Sequence, residues 1–129
     1  MLAQKNVPAG AYAREALAKF DGKESYAADF DARVLANVVS EESNVKSVVT
    51  KVQLGEADAG IVYTTDVTPG VAGDITRIAI PDAYNVVASY PVALAKGASH
   101  RDAAQAFIDF LRSSPGQAIL TSHGFLPAQ

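Results

Sequence analysis

Three places in this chain can offer hydrogen-bond donors to a small ligand: the helix entry at Ala9-Gly10, the helix entry at Asn44-Val45, and Tyr63 at the end of an apolar run. Val7-Pro8-Ala9-Gly10 sets a rigid proline and a permissive glycine at the start of a helix. The amides of Ala9, Gly10 and Ala11 are thereby expected to lack intrahelical partners. Such amides, reinforced by the helix dipole, favour an anion without any lysine or arginine. A tyrosine closing a strand can add a phenolic donor, and in an α/β sheet all such loops gather at the carboxyl ends of the strands. Every α/β domain has helix N-termini, so ordinary helix punctuation is the competing reading of the same residues.

Other chemistries find less support. His100 stands just before a helix and His123 in the last turn of another, positions that suit capping or surface roles, with no Cys, Asp or Glu at a nucleophile or metal spacing. No catalytic residue, enzymatic activity or directly coordinated metal cation is therefore expected. Asp58 and Asp66 flank residues 59–63 at opposite ends, which suits turn and cap residues better than a carboxylate pair, and Glu41-Glu42 reads as a solvated pair in a loop. Gly55, Gly60, Gly70 and Gly73 do not have the GxGxxG or GxxxxGKS/T spacing of a phosphate-binding glycine loop. Phe107, Phe110 and Phe125 are expected to face a core.

Composition narrows the classes further. With 129 residues, 49% of them hydrophobic and 19% charged, the chain is one globular domain or a piece of a larger one. It contains no cysteine, so disulfides and thiolate metal sites are excluded. A net charge of -3, with no cluster of Lys and Arg, argues against nucleic acid as a partner. Residues 1–85 hold 8 basic and 12 acidic side chains and residues 86–129 hold 3 and 2, so the acid excess belongs to the first part. No apolar run approaches a membrane span, and the opening MLAQKNVPAG has no signal-peptide pattern, so the chain as given is expected to be soluble and to carry no address.

The elements that must position the donors follow from periodicity. Ala13, Ala16, Leu17 and Phe20 recur at helical spacing, predicting a helix over 11–20 that ends near Asp21-Gly22. Residues 23–33 read as irregular and 34–39 as a buried strand. Val45, Val48, Val49 and Val52 fall at i, i+3, i+4 and i+7, so period outweighs valine's strand propensity and 43–54 reads as a helix, capped by Ser43 or Asn44 and closed by Gly55. Short strands are expected at 59–63 and 75–80, and an edge or crossing strand at 87–95 that Pro91 interrupts. Ala103, Phe107, Phe110 and Leu111 mark another helix. Ser114-Pro115, read as an N-cap followed by a first-turn proline, opens a last one that stops at Gly124. Strands alternating with short helices indicate an α/β fold with a mainly parallel sheet.

Taken in order, several segments are more specific than any one of them. They are Val7-Pro8-Ala9-Gly10-Ala11-Tyr12-Ala13, Glu42-Ser43-Asn44-Val45-Lys46, the stretch GEADAGIVYTTD from Gly55 to Asp66, Tyr90-Pro91-Val92-Ala93, Phe107-Ile108-Asp109-Phe110-Leu111, Gly116-Gln117-Ala118-Ile119-Leu120 and Gly124-Phe125. This series resembles the periplasmic molybdate-binding proteins of ABC importers over nearly the whole chain. The resemblance implies a type II periplasmic-binding-protein-like lobe, with residues 1–85 as the second of two lobes. Residues 86–129 would be the hinge-crossing strand and the C-terminal helices that return to the first lobe, whose two serine-bearing ligand loops have no counterpart here.

Carried over position by position, the resemblance implies an oxyanion site made of the Ala9 amide, the Val45 amide and the Tyr63 hydroxyl. The ligand would be molybdate or tungstate, with no cofactor. The implied partner is an ABC permease and the implied location periplasmic or extracytoplasmic. With half of the donors absent, the chain alone is expected to bind weakly or not at all. Its tail is expected to pair with a second copy, as a homodimer or domain-swapped assembly. The competing class is the ligand-sensing domain of a transcriptional regulator with the same fold, for which no DNA-binding helix-turn-helix is visible.

Overall fold

The computed structural model describes residues 1–23 and 26–128 and divides into two compact units, Met1–Ala88 and Ser89–Gln129. In the first unit the order is β1 (Leu2–Ala3), α1 (Pro8–Lys19), α2 (Phe30–Ala36), β2 (Glu41–Glu42) and α3 (Val45–Gln53), followed by a single 3-10 turn at Thr64–Asp66. β1 and β2 are parallel, with Leu2 opposite Glu41 and Ala3 opposite Glu42. A parallel pair needs a crossover connection, and α1 with α2 supplies it. The second unit contains α4 (Arg101–Arg112) and α5 (Ser114–Ser122), which pack on each other. Among the described residues no helix is long and apolar enough to cross a membrane.

α1 begins three residues before the expected start, at Pro8, because a first-turn proline costs no intrahelical hydrogen bond and brings a φ already suited to a helix. Its buried face is small: Ala9, Gly10, Ala13 and Ala16 precede Leu17. That smallness permits close approach to the sheet. A Cβ on Gly10 would lie 2.1 Å from the Gln4 carbonyl oxygen and 2.3 Å from that of Ala3. The buried apolar set of the unit is Leu2, Ala3, Ala9, Ala13, Ala16, Leu17, Phe20, Val48 and Val49, which joins β1, α1 and α3.

α3 matches the valine periodicity. Asn44 is its N-cap, with Oδ1 accepting from the Ser47 amide at 2.9 Å. At the other end the amides of Gly55 and Glu56 donate to the carbonyls of Val52 and Lys51, a Schellman closure that Gly55 enters at φ 75°.

The expected strand over 34–39 is a correction: α2 occupies its first half, and the strand forms later, at Glu41–Glu42. Phe30 stacks with Phe20 and Tyr26, and the Asp31 amide donates to Asp21 at 2.9 Å, so tertiary contacts draw this stretch into a helix. The irregular reading of 23–33 is therefore also wrong from Phe30 onward; Glu24 and Ser25 lie outside the described residues. Glu41-Glu42 is β2 itself rather than a loop. Residues 59–63, 75–80 and 87–95 carry strand-like composition but form no ladder, because an extended run becomes a strand only where a backbone partner meets it in register. Among the described residues the mainly parallel sheet is thus reduced to one short pair. In the second unit the N-cap of α5 is Ser113, one residue before the expected one, with its hydroxyl accepting from the Gly116 amide at 3.3 Å.

Candidate functional site at the carboxyl end of the parallel pair

Because β1 and β2 run the same way in register, both leave the sheet at the same end. β1 passes through residues 4–7 into the first turn of α1, and β2 passes through Ser43 and Asn44 into the first turn of α3. Ala9 and Val45 therefore occupy two helix entries at one end of one sheet. In α1 the first i to i−4 bond is donated by Ala11 to the Val7 carbonyl at 3.0 Å, so Ala9 and Gly10 precede the ladder while the expected freedom of the Ala11 amide is not found. In α3 the side-chain cap serves Ser47, and Val45 is the first helical residue ahead of it.

Tyr63 joins the same region by a different route. The terminal amine of Met1 donates to the Ala59 carbonyl at 2.7 Å, which sets the start of residues 59–63 beside the start of β1. A Cβ on Gly60 would come within 2.6 Å of Val48 Cγ1, so this segment lies against α3. It ends at Tyr63, whose ring meets that of Tyr12 edge-on with centroids 6.5 Å apart. Ala9 belongs to a buried cluster with Ala3 and Val48, and Val45, Val62 and Tyr63 all pack against it. The three candidate positions thus share one cluster.

Two acidic groups define the electrostatics nearby. The Tyr63 amide donates to Asp66 Oδ2 at 3.0 Å, and the Asp66 amide returns a bond to the Tyr63 carbonyl at 3.0 Å, so Asp66, the last residue of the 3-10 turn, reaches back to its N-cap Tyr63. Burial raises the Asp66 pKa, and the hydrogen bond from Tyr63 opposes that rise. Glu42 is held below its ordinary value by the Ser40 hydroxyl and then by Lys51, whose ammonium sits 2.9 Å away. Glu42 thereby raises the Lys51 pKa in turn. Among the described residues no group of three or more His, Asp or Glu side chains could hold a metal ion. His100 and His123 stand at the N-cap of α4 and the C-cap of α5.

Sequence reasoning overlooked Arg14, whose guanidinium bonds Ala3, Gly10 and Glu41. The available signal was a lone arginine among the small residues of α1. A hollow of about 330 Å³ at the amino-terminal end of β1, lined by Met1, Val38, Val39, Ala59 and Ile61 among others, contains none of the three candidate positions.

An α/β unit whose parallel strands feed two helix N-termini at one end belongs to the broad class of folds that gather small ligands beside strand ends. The family model described as bacterial extracellular solute-binding protein matches residues 1–126, and the chain belongs to that family. The molybdate-binding protein ModA of Mycobacterium tuberculosis (strain ATCC 25618 / H37Rv) is 39% identical over 89 residues, covering 69% of this chain and 34% of that protein. ModA of Escherichia coli (strain K12) is 30% identical over 122 residues, covering 94% of this chain and 43% of that protein. The putative ABC transporter substrate-binding lipoprotein YvgL of Bacillus subtilis (strain 168) is 28% identical over 121 residues, again 94% and 43%. The chain spans between a third and a half of the length of these relatives. No solved structure matches it.

Proposed function

We propose that this chain is the second-lobe and C-terminal portion of the extracytoplasmic substrate-binding component of a molybdate or tungstate ABC importer. The observation that carries the reading is the shared exit of β1 and β2 into the N-termini of α1 and α3, with Tyr63 packed on the same cluster. In this reading residues 1–85 form one lobe of a type II binding protein. Residues 86–129 cross the hinge and return to the other lobe. Support for molybdate comes from relatives whose names state that they bind it. Tungstate has the same shape and charge and nearly the same size.

The mechanism is capture without chemistry on the ligand. A tetrahedral dianion accepts hydrogen bonds from the Ala9 amide, the Val45 amide and the Tyr63 hydroxyl, and each bond is strengthened by the ligand's charge. Two helix dipoles add to the field, so no lysine or arginine is required as a counter-ion. Selectivity follows from donor geometry and cavity size, and sulfate is too small to reach every donor. Closure of two lobes would then signal occupancy to a permease. Amide NMR of the labelled chain, with the complementary lobe added, against molybdate, tungstate, sulfate and phosphate tests the site. Shifts at Ala9 and Val45 confined to molybdate and tungstate are expected; equal shifts with all four anions, or none, would overturn the assignment. Calorimetry repeated with the complementary lobe added is expected to strengthen binding.

A further inference from the structure

Arg14 is out of character with its surroundings. It lies two turns into α1 beside a face of alanines and a glycine, and its side chain is only 17% exposed. One terminal nitrogen donates to the Ala3 carbonyl at 3.2 Å and to the Gly10 carbonyl at 2.8 Å, while the other donates to the Glu41 carboxylate. These acceptors belong to three elements: the end of β1, the first turn of α1 and the start of β2. A guanidinium presents its donors in a rigid plane, so satisfying all three acceptors fixes their relative placement, which a single ammonium on a flexible stem does not.

Two of the acceptors also lead directly to the two anion donors along the chain. Gly10 directly follows Ala9, and Glu41 leads through Glu42, Ser43 and Asn44 to Val45. The separation between the two helix entries therefore runs through this guanidinium as well as through the short sheet. We infer that Arg14 is a positioning residue that couples the N-termini of α1 and α3 and so sets where the Ala9 amide stands relative to the Val45 amide. Its consequence for ligand capture rests on the oxyanion reading above. Arg14 is tied to Glu41 and to two carbonyls, so it acts through α1 and β2 rather than as a ligand group.

Residual dipolar couplings of the labelled chain give the relative orientation of α1 and α3 without any ligand. Arg14→Gln and Glu41→Gln are each expected to shift that orientation while couplings within each helix still fit a single helix. Arg14→Lys should behave like Glu41→Gln, because it keeps the charge but not the fork. Val49→Ala truncates the core on α3 without touching any acceptor of the guanidinium, so it should lower stability and leave the orientation unchanged. An unaltered orientation in both Arg14→Gln and Glu41→Gln, or the same shift in Val49→Ala, overturns the inference; should Arg14→Gln not fold, Glu41→Gln and Arg14→Lys decide it. Sodium molybdate added to the parent chain together with the complementary lobe reads the site separately. If the amides of Ala9 and Val45 do not respond while the variants still reorient the helices, the oxyanion reading falls and the coupling by Arg14 stands.

Discussion

A methyl group added at position 10 sets two effects against each other. Alanine is a better helix former than glycine by about 1 kcal/mol, which by itself would make Gly10→Ala stabilising. The added carbon would meet two backbone carbonyl oxygens at 2.1 and 2.3 Å, and backbone cannot swing aside as a side chain can. Sterics win, and α1 must lift from the end of β1. Gly10→Ala is expected to lose about 1–3 kcal/mol in urea denaturation, the usual cost of overpacking, and a gain in stability would show that α1 does not press on the strand. Tyr63→Phe tests a donor rather than a contact. In a two-lobe context it should weaken molybdate binding by about 1.5–3 kcal/mol, the worth of a hydrogen bond to a charged group, while the fold survives. Unaltered affinity in calorimetry would remove the phenol from the ligand shell.

The two perturbed carboxyls should leave opposite marks on stability against pH. The Glu42 pKa is lowered in the fold by Ser40 and Lys51, so its contribution is present above the ordinary carboxylate value and is lost as pH falls through the depressed one. Asp66 is raised by burial, so its contribution is full below the ordinary value and is lost as pH rises through the raised one. Glu42→Gln is therefore expected to flatten the acid side of the stability profile. Asp66→Asn keeps an acceptor for the Tyr63 amide and should remove the decline just above the ordinary carboxyl range. Profiles from chemical denaturation at a series of pH values check both, and unchanged slopes would mean that these carboxyls titrate alike in the folded and unfolded chain.

Among the elements, α3 shows how local chemistry and tertiary packing divide the work. Its valines would favour a strand, yet Val48 and Val49 are buried at adjacent positions on one helical face. Asn44 satisfies the Ser47 amide at the entry, so Asn44→Ala should cost about 1 kcal/mol, within the range for losing a cap. The measurable sign is a lower unfolding midpoint together with faster hydrogen exchange at Ser47, and unchanged exchange there would show that the cap is idle in solution. α2 carries the opposite lesson. Its composition reads as a strand or as irregular backbone, and the aromatic contacts of Phe30 with Phe20 and Tyr26 make it a helix.

On the scale of the whole molecule, burial is unevenly shared. Every buried apolar side chain among the described residues lies in Met1–Ala88, whereas Phe107, Phe110, Ile119 and Leu126 of the second unit are 59%, 46%, 51% and 69% exposed. The expectation that Phe107 and Phe110 face a core is therefore not met within this chain. Exposed apolar surface of this kind favours association. Light scattering across a dilution series should show concentration-dependent assembly of the chain, and addition of a complementary lobe should suppress it. A monomer at all concentrations would rule out self-association through this surface.

What the sequence by itself determined were the features written in neighbouring residues. These are the helix entries at Val7-Pro8-Ala9-Gly10 and Asn44-Val45, the valine face and glycine stop of α3, and the two amphipathic helices of the tail, all governed by spacing, capping and turn chemistry within a few positions. The places of Ala9 and Val45 in the first turns of α1 and α3 were legible for the same reason. Tertiary structure alone decided which extended runs became strands, since a ladder depends on a partner far away in the chain. It also decided the link from Arg14 to Ala3 and Glu41, and the packing of Ala9, Val45 and Tyr63 on one cluster. These contacts join residues that are distant in sequence, and no local pattern can specify which of them meet until the core brings the backbone together.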